Sequence, residues 1–476
     1  MMDLLKQDSS PPPPIPIQSI PNVTVGNNRT TQTITINETG HIDTIAPSSN
    51  PSDALVRLAL PSLAHPHIHL DKPYLLSHKD TCHLGPQTGT FEEALSLTAE
   101  AKPLYTFNAL LARGAQLLAE SSRAGVTHLR GFCEVDTSVD LKCIWAGIDL
   151  KRAWKDSLHV QIAAFAQDPL FSTKPNGTGL GKDGDAEEYR PDGNLNLELL
   201  EQSIRFDGVE VLATTPYVEA SIDASKRNID WAVRTAIERK LHLDFHLDYN
   251  LDIKKEPLIW YVLDRLRGHR WNEEQNGKTI CLGHCTRLTL FSKQEWERLA
   301  REVVDLPVYF IGLPTSDLFM QGRPDKTESD LQTIVAAQNR PRATLHVPSM
   351  LQSGLKAAIG INNIGNAFTP FGSADPLDLI KWCTGIYQDG TPETAQLLYG
   401  CVSWRAKEAM GLSLSDCSSR GDSVLSKNEA ADLIVFGDQD QRKKFIYQRH
   451  SLEEIVWNPP PETQRMVIYR GNHVVL

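Results

Sequence analysis

The chain has 476 residues, of which 41% are hydrophobic and 22% are charged, a composition typical of a globular protein with a large buried core. Its formal net charge of −11 excludes a strongly basic surface of the kind that binds nucleic acid or anionic membranes. No apolar run approaches the roughly 20 residues that span a bilayer, and residues 1–16 lack the apolar segment of a signal peptide. We therefore expect a cytoplasmic protein without a nucleic-acid or membrane partner.

Both ends of the chain are predicted to form short strands. Residues 1–16, with a run of prolines at 11–14, are expected to be a disordered tail. Residues 17–57 and 430–476 contain runs of Thr, Val and Ile separated by Gly and Asn, which is typical of antiparallel strands. The later strands are expected at 432–436, 454–457 and 466–475. Together these segments predict a small β-sandwich completed by both chain ends.

Residues 58–429 alternate apolar strands with amphipathic helices, the pattern of a parallel α/β fold. Helices are expected, for instance, at 91–102, 109–124 and 226–240. The expected strands lie at 58–69, 126–132, 160–165, 209–214, 242–246, 279–283, 307–312 and 357–361. Parallel strands in this number predict a distorted (β/α)8 TIM barrel, whose active site lies at the C-terminal ends of the strands.

Residues 168–194, after the third barrel strand, interrupt the alternation. The segment is rich in Gly, Asp and Pro, and its glycine run lacks the spacing of a phosphate-binding loop. A long loop in a compact domain is either functional or disordered. We expect an insertion loop here, and its composition is compatible both with a lid over the barrel mouth and with a disordered segment.

The first barrel strand ends in Pro-His-Ile-His-Leu-Asp-Lys, residues 66–72. Alternate residues of a strand point the same way, so the imidazoles of His67 and His69 share a face, which Asp71 continues. Two imidazoles projecting together from a strand end are a typical start of a divalent-metal site. Further polar residues at strand ends are Gln167 on the third strand, His246 and Asp248 on the fifth, His284 on the sixth and Asn362 on the eighth.

Taken in chain order, these motifs resemble the amidohydrolase superfamily and, within it, the cytosine deaminase-like group, which also holds isopropylammelide-type aminohydrolases. The resemblance extends from about residue 58 to the C-terminus. The motifs that carry it are His67-Ile-His69-Leu-Asp-Lys72, Ala164-Phe-Ala-Gln167, His246-Leu-Asp248, Gly283-His284, Gly312-Leu-Pro-Thr-Ser-Asp-Leu-Phe-Met-Gln-Gly322 and the segment from Gly360 to Gly372. The architecture that it implies, a barrel with a terminal β-sandwich, is also the one predicted from periodicity.

The resemblance implies one divalent metal ion, Zn2+ or Fe2+, and a water molecule that the ion activates. It implies that His284 polarises or hydrogen-bonds the substrate and that Gln167 binds the amide edge of a heterocycle. We also assign Asp71 and Lys72, which end the first motif, to substrate binding. The implied metal ligands are His67, His69 and His246.

Two positions depart from the pattern of the deaminases, and both lack a carboxylate. Tyr249 stands three residues after the strand-5 histidine, where those enzymes carry a glutamate, and Asn362 stands where they carry a metal-binding aspartate. An asparagine amide cannot act as a general base, whereas a tyrosine can donate a proton but is a poor base. The role of general base is open among Asp248, Asp71 and His284.

The expected activity is hydrolysis, by metal-activated water, of a C–N bond other than a peptide bond in a small cyclic amide, amidine or aminated heterocycle. The alternative is a divergent protein of this fold that lacks the usual acid/base carboxylates. Such a protein would catalyse a metal-free cyclisation or isomerisation, or would only bind a small molecule. Both hypotheses imply a small-molecule partner. Relatives of this fold commonly assemble, so a homo-oligomer is compatible with the sequence, which does not determine the oligomeric state.

Overall fold

The computed structural model describes residues 10–26, 28–49, 56–172, 191–274, 277–322, 343–412, 425–437 and 449–476. Most of the predicted insertion loop, residues 173–190, lies outside the described residues, as do residues 1–9 of the predicted tail. Residues 191–194, predicted as the end of that loop, belong instead to the helix Pro191–Ser203. A proline is favourable at the first position of a helix, which explains this boundary.

Strands from both chain ends form a separate β-domain, as predicted, and the described strands of this domain belong to one mixed sheet of eight where the sequence predicts a β-sandwich. Its strands are β1 (Ile15–Pro16), β2 (Ser19–Val25), β3 (Asn28–Ile36), β4 (Ile42–Pro47), β5 (Arg57–Pro61), β14 (Leu433–Phe436), β15 (Arg465–Tyr469) and β16 (Asn472–His473). The pair β2–β5 is parallel, and β5 pairs antiparallel with β14, so the two chain ends are joined in the middle of the sheet. Ile34, Ile42 and Leu433 belong to the apolar cluster of this domain.

Eight parallel strands form the barrel, as the sequence predicts, and neighbouring strands follow the order of the chain. Its strands are β6 (Leu63–His69), β7 (Val126–Glu134), β8 (His159–Ala166), β9 (Val209–Thr214), β10 (His242–Leu247), β11 (Ile280–His284), β12 (Val308–Gly312) and β13 (Ala357–Ile359). The ring of strands is closed where Ile68 of β6 bridges to Asn362, which follows β13. The C-terminal ends of β6, β10 and β11 therefore present their histidines at one mouth of the barrel.

The predicted first barrel strand, 58–69, is two strands that belong to different sheets. The chain changes sheet at Ser62, whose backbone N–H donates to the carbonyl of Asp432 in the terminal domain. The next N–H, that of Leu63, donates to the carbonyl of Gly125 beside the barrel. Both halves are extended and almost wholly buried, so periodicity alone predicts one continuous strand.

Three local predictions are wrong. The strand predicted at 466–475 is a hairpin in which β15 pairs antiparallel with β16. Residues 454–457, predicted as a strand, belong to the helix Leu452–Trp457, whose cap Ser451 accepts from the N–H of Glu454. A short apolar run fits both the strand and the helix period, and here the cap decides between them. Residues 15–16, predicted as the end of a disordered tail, form β1 and pair with β16 at the sheet edge, where proline is tolerated.

Helices connect the barrel strands, and the predicted helices at 91–102, 109–124 and 226–240 are confirmed with small shifts of their bounds. Within the described ranges, none of the helices has the length and apolarity that crossing a bilayer requires. The helices are Phe91–Ala101, Phe107–Ala124, Lys142–Trp154, Pro191–Ser203, Ile222–Arg239, Ile259–Gly268, Trp271–Glu274, Lys293–Val303, Pro314–Met320, Val347–Gln352, Pro376–Ile386, Pro392–Cys401, Trp404–Ala409 and Leu452–Trp457.

Candidate metal centre

The imidazoles of His67, His69 and His246 converge at the C-terminal mouth of the barrel. His67 and His69 lie on β6, and His246 lies on β10. Nε2 of His246 is 3.1 Å from Nε2 of His67 and 3.4 Å from Nε2 of His69. Nitrogen ligands about 2.0–2.1 Å from a tetrahedral zinc ion lie about 3.3 Å apart, so the spacing of these atoms suits one shared ion.

Nitrogen atoms that face one another this closely need a cation or a proton between them. The three side chains are at most 4% exposed, and burial lowers the pKa of each imidazole well below its usual value. Neutral rings therefore direct lone pairs at one another, which is unfavourable. A divalent cation removes this repulsion, so the residues fit the metal ion that the sequence motifs imply.

A buried ion pair lies next to the metal ligand His67. Oδ1 of Asp244 is 3.9 Å from Nδ1 of His67, and Oδ2 accepts a hydrogen bond from Arg130 at 3.0 Å. Burial raises the pKa of Asp244 to about 7, although Arg130 opposes that shift. At 3.9 Å the carboxylate is an electrostatic neighbour of the His67 ring and does not form a hydrogen bond with it. Sequence reasoning missed Asp244, although it lies two residues before His246 and therefore on the same strand face.

His284 lies beside the three converging histidines and is oriented by an aspartate. Its Nδ1 is 2.8 Å from Oδ1 of Asp317, and its ring centre is 5.5 Å from that of His246. Oδ2 of Asp317 accepts from Oγ1 of Thr344, and burial raises the pKa of the Asp317 carboxyl. The carboxylate places the imidazole proton on Nδ1 and leaves Nε2 to accept one. Sequence reasoning missed this role of Asp317, although the residue lies in the quoted motif 312–322.

Asn362 closes the barrel against the histidine strand. Its N–H donates to the carbonyl of His67 at 3.1 Å, and its carbonyl accepts from the N–H of His69 at 2.9 Å. Its φ of 69° is left-handed, a conformation that asparagine tolerates better than most residues. Among the described residues its buried Oδ1 has no hydrogen-bond donor. A buried amide oxygen without a donor is an acceptor for a ligand or an ion.

Asp71 turns one carboxylate oxygen towards the neighbouring strand. Oδ2 accepts from the N–H of Glu134 at 2.7 Å, and the Asp71 carbonyl accepts from Arg113 at 2.9 Å. Burial raises the pKa of the carboxyl to about 6, while Lys72 opposes the shift. Because this oxygen ties the end of β6 to β7, Asp71 is first of all a structural residue. Its part in substrate binding stays a prediction.

Asp248, the second carboxylate considered as a general base, caps a helix instead. Its two oxygens accept from the N–H groups of Leu258 and Ile259 at 2.8 and 3.1 Å, at the start of the helix Ile259–Gly268. Burial raises the pKa of this carboxyl to about 6. Both oxygens of Asp248 are therefore engaged, whereas Nε2 of His284 remains for proton transfer.

Lys72 and Gln167 are joined by a hydrogen bond close to the histidines. Nζ of Lys72 is 3.3 Å from Oε1 of Gln167 and 2.9 Å from Oε2 of Glu134. The same ammonium group lies 5.6 Å from the ring centre of Phe165, and this ring centre is 4.4 Å from that of His246. The two residues predicted to bind substrate are thus one aromatic ring away from the metal ligands.

A second group of candidate metal ligands, Glu134, Asp136 and Asp168, already surrounds a cation. Nζ of Lys102 lies 2.5, 2.6 and 3.2 Å from the three carboxylates. This ammonium group supplies the positive charge that buried carboxylates need. The group is therefore a salt-bridge network next to Lys72, and sequence reasoning assigned it no role.

Tyr249 separates His284 from an open cleft. Its ring centre is 4.0 Å from that of His284, and its hydroxyl donates to the carbonyl of Ser316 at 3.3 Å. The cleft has a volume of about 870 Å³, and Phe91 and Tyr217 line it together with Tyr249. The Tyr249 hydroxyl, considered above as a proton donor, thus donates to a backbone carbonyl. The Tyr249 ring lies between His284 and the cleft.

No family model and no curated protein matches the chain. Solved structures do resemble it in fold. The 5-methylcytosine deaminase of Klebsiella pneumoniae with 5-fluorocytosine has a TM-score of 0.74 at 19% identity, over 96% of this chain and 97% of that one. The N-isopropylammelide isopropylaminohydrolase of Burkholderia multivorans has a TM-score of 0.67 at 19% identity, over 96% and 97%. An adenosine deaminase of Xanthomonas campestris with bound zinc has a TM-score of 0.58 at 13% identity, over 93% and 88%. These likenesses show that the chain shares the fold of these proteins over nearly its whole length.

Proposed function

We propose that this protein is a hydrolase that uses one divalent metal ion, Zn2+ or Fe2+, to cleave a C–N bond other than a peptide bond. The expected substrates are small cyclic amides, amidines or aminated heterocycles. The observation that carries the proposal is the convergence of three buried imidazole nitrogens at the mouth of a barrel. The similar solved structures, two deaminases and an aminohydrolase, support this class of reaction.

The ligand set would leave the ion strongly electrophilic. His67, His69 and His246 would hold it, and burial keeps all three imidazoles neutral. When bound, such an ion polarises a carbonyl or amidine group and lowers the pKa of a bound water towards about 7. The amide of Asn362, beside β6, adds no negative charge to the site.

Proton transfer falls to His284. Its Nδ1–H donates to Asp317, so its Nε2 carries the lone pair that can take a proton from the attacking water. Asp317 stabilises the imidazolium that results, because a buried carboxylate interacts strongly with a charge at hydrogen-bond distance. His284 can then return the proton to the leaving nitrogen. One imidazole therefore replaces both missing carboxylates of the deaminase pattern.

Substrate binding falls to Lys72 and Gln167. Both are almost fully buried, with 1% and 6% of their surface exposed, so their hydrogen bonds to a ligand would not compete with bulk water. The ring of Phe165 lies between this pair and the histidines and provides an apolar wall. A small planar ring is the ligand that suits such surroundings.

A protein of this fold without hydrolytic activity is the second candidate. The position of Asp248 favours it, because both oxygens of this carboxylate accept from backbone N–H groups, and one oxygen of Asp71 does the same. On this alternative the pocket would bind a small molecule, or catalyse a cyclisation or isomerisation without a metal ion.

Elemental analysis of untagged protein purified without chelators tests the proposal. The wild type is expected to hold about one zinc or iron per chain, and His67→Ala and His246→Ala to hold less than about a tenth of that. His242→Ala is the matched control, because His242 is a buried histidine of the same strand β10 that bonds Thr279 instead. Turnover is then sought among cyclic amides, amidines and aminated heterocycles.

The outcomes separate the two candidates. Metal in the wild type and in His242→Ala, with none in the other two variants, supports hydrolysis. Full metal in both His67→Ala and His246→Ala would mean that the ligand set is wrong. Wild-type protein that stays free of metal after reconstitution would favour metal-free chemistry or ligand binding.

A further inference from the structure

The hydrogen bond between Lys72 and Gln167 determines which way the amide of Gln167 faces. An ammonium group has three donors and no acceptor, so the amide atom 3.3 Å from Nζ of Lys72 must be the oxygen, Oε1. The reverse orientation would set two donors against each other. Gln167 therefore turns its Nε2, with two N–H donors, away from Lys72. Among the described residues, this Nε2 finds no acceptor.

Contacts on several sides fix the ammonium group of Lys72, which in turn fixes the orientation of the Gln167 amide. Oε2 of Glu134 lies 2.9 Å from its Nζ, and the ring centres of Phe165 and Phe368 lie 5.6 and 5.7 Å away. Glu134 is shared, because its other oxygen binds Lys102. A buried ammonium with a shared carboxylate and two aromatic neighbours keeps a positive field at this side of the site.

The pair lies beside the candidate metal centre. Gln167 directly follows β8, and Phe165 of the same strand contacts the imidazoles of His69 and His246, with ring centres 5.1 and 4.4 Å apart. A small ring bound at the three histidines would therefore meet the donors of Lys72 and Gln167 at its edge.

The acceptors around this position are largely engaged. Glu134 is shared between two lysines, and Oδ2 of Asp71 accepts from a backbone N–H. The hydroxyl of Tyr249 is directed at the carbonyl of Ser316. Among the described residues, Oδ1 of Asp71 and Oδ1 of Asn362 are the acceptors of this set that have no hydrogen-bond donor. Lys72 and Gln167 therefore present donors alone to a ligand, and the free acceptors lie on Asp71 and Asn362.

We propose that Lys72 and Gln167 form a donor-only subsite that selects oxygen-rich, anionic cyclic amides over amino-substituted heterocycles. The inference narrows the proposed function and rests on it for the identity of the pocket. A cyclic imide or an oxo-heterocycle presents carbonyl oxygens, or a deprotonated ring nitrogen, which accept from both residues. An exocyclic amino group presents donors, which both residues repel. Hydrogen bonds from an ammonium to an anion are stronger than those between neutral groups, so the anionic ring gains most.

Calorimetric titration with two rings of similar size tests the subsite. Barbiturate is an anion at neutral pH and carries carbonyl oxygens, whereas cytosine is neutral and carries an amino group. Metal-loaded wild-type protein is expected to bind barbiturate at least about tenfold more tightly than cytosine. Lys72→Gln should reduce this preference to less than about threefold, because the charge is lost. Gln167→Glu should reverse the preference, because one carboxylate oxygen accepts from Lys72 and the other accepts from the ligand.

Lys407→Gln is the matched control. Lys407 is a buried lysine whose Nζ is 2.8 Å from Oγ of Ser62, where the chain enters β6, and its replacement should keep the wild-type preference. A wild-type preference below about threefold, or no binding of barbiturate, overturns the proposal. A ligand preference that is unchanged in Gln167→Glu also overturns the proposal. If Lys72→Gln does not fold, the result for Gln167→Glu tests the proposal by itself.

Metal analysis of the same samples distinguishes failure of the proposed subsite from failure of the proposed hydrolase activity. Barbiturate preference in protein that holds no metal would support the subsite and refute the hydrolase. Protein that holds metal and turns over a substrate but shows no preference would refute the subsite and support the hydrolase.

Discussion

Replacing Asp317 with asparagine is expected to slow turnover and leave metal binding unchanged. Asp317 is fully buried, and its two oxygens lie 2.8 Å from Nδ1 of His284 and 2.8 Å from Oγ1 of Thr344. Asparagine has nearly the same shape, so the variant removes a negative charge and little packing. The charge matters because His284 becomes an imidazolium during the proposed proton transfer.

The expected size follows from Coulomb's law. Two opposite unit charges about 4 Å apart interact by about 4 kcal/mol at an effective dielectric constant of about 20. If about half of a positive charge has developed on His284 in the transition state, Asp317 stabilises that state by about 2 kcal/mol. Asp317→Asn should therefore lower kcat by about 30-fold, with KM changed by less than about threefold.

Steady-state kinetics on a cyclic amide that the wild type hydrolyses, with metal analysis of each sample, provide the measurement. Thr344→Val is the control: it removes one hydrogen bond to Asp317 but keeps the charge, so kcat should fall only a few-fold. A metal-loaded Asp317→Asn protein with kcat within about threefold of wild type would refute the role of His284 in proton transfer.

Three further predictions separate structural from catalytic roles. Asp248→Ala removes the acceptor for two N–H groups at the start of the helix Ile259–Gly268 and should lower the free energy of unfolding in urea by about 1 kcal/mol; loss of metal would contradict this capping role. Burial lowers the pKa of His242 to about 2, so the folded state stays neutral while the unfolded chain takes up a proton below about pH 6.5. Stability from this residue is therefore present above that pH and is lost on acidification, by about 1.4 kcal/mol between about pH 7.5 and 5.5, and His242→Gln should remove this dependence in unfolding curves at both pH values. Asn362→Asp combined with Tyr249→Glu restores the carboxylates of the deaminase pattern and should raise turnover of cytosine at least about tenfold; a double variant that binds metal but stays inert would show that other pocket residues limit the reaction.

The barrel and the three converging histidines could be predicted from sequence because their signals are local. A strand alternates its side chains, so His67 and His69 share a face whatever surrounds them. Parallel strands in a barrel end at one mouth, which brings His246 to the same place although it lies 179 residues from His67. The terminal β-domain was predictable for the same reason, since runs of β-branched residues mark its strands.

The acid/base groups could not be predicted, because their roles depend on contacts between distant parts of the chain. Asp317 orients His284 across 33 residues, and Arg130 pairs with Asp244 across 114 residues. The carboxylates that looked available in the sequence, Asp71 among them, are engaged by backbone N–H groups. A sequence shows which residues can accept a hydrogen bond, but it does not show which of them already do.

By itself, then, the sequence determined the fold class and the candidate metal ligands, because periodicity and strand ends are properties of short segments. The tertiary structure decided where the chain changes sheet at Ser62, since that depends on hydrogen bonds to Asp432 and Gly125 from other elements. It also decided which way the Gln167 amide faces, since Lys72 lies 95 residues away in the chain and next to it in space. Hydrogen-bond partners of buried polar groups arise only when the elements pack, and the chemistry of this pocket depends on them.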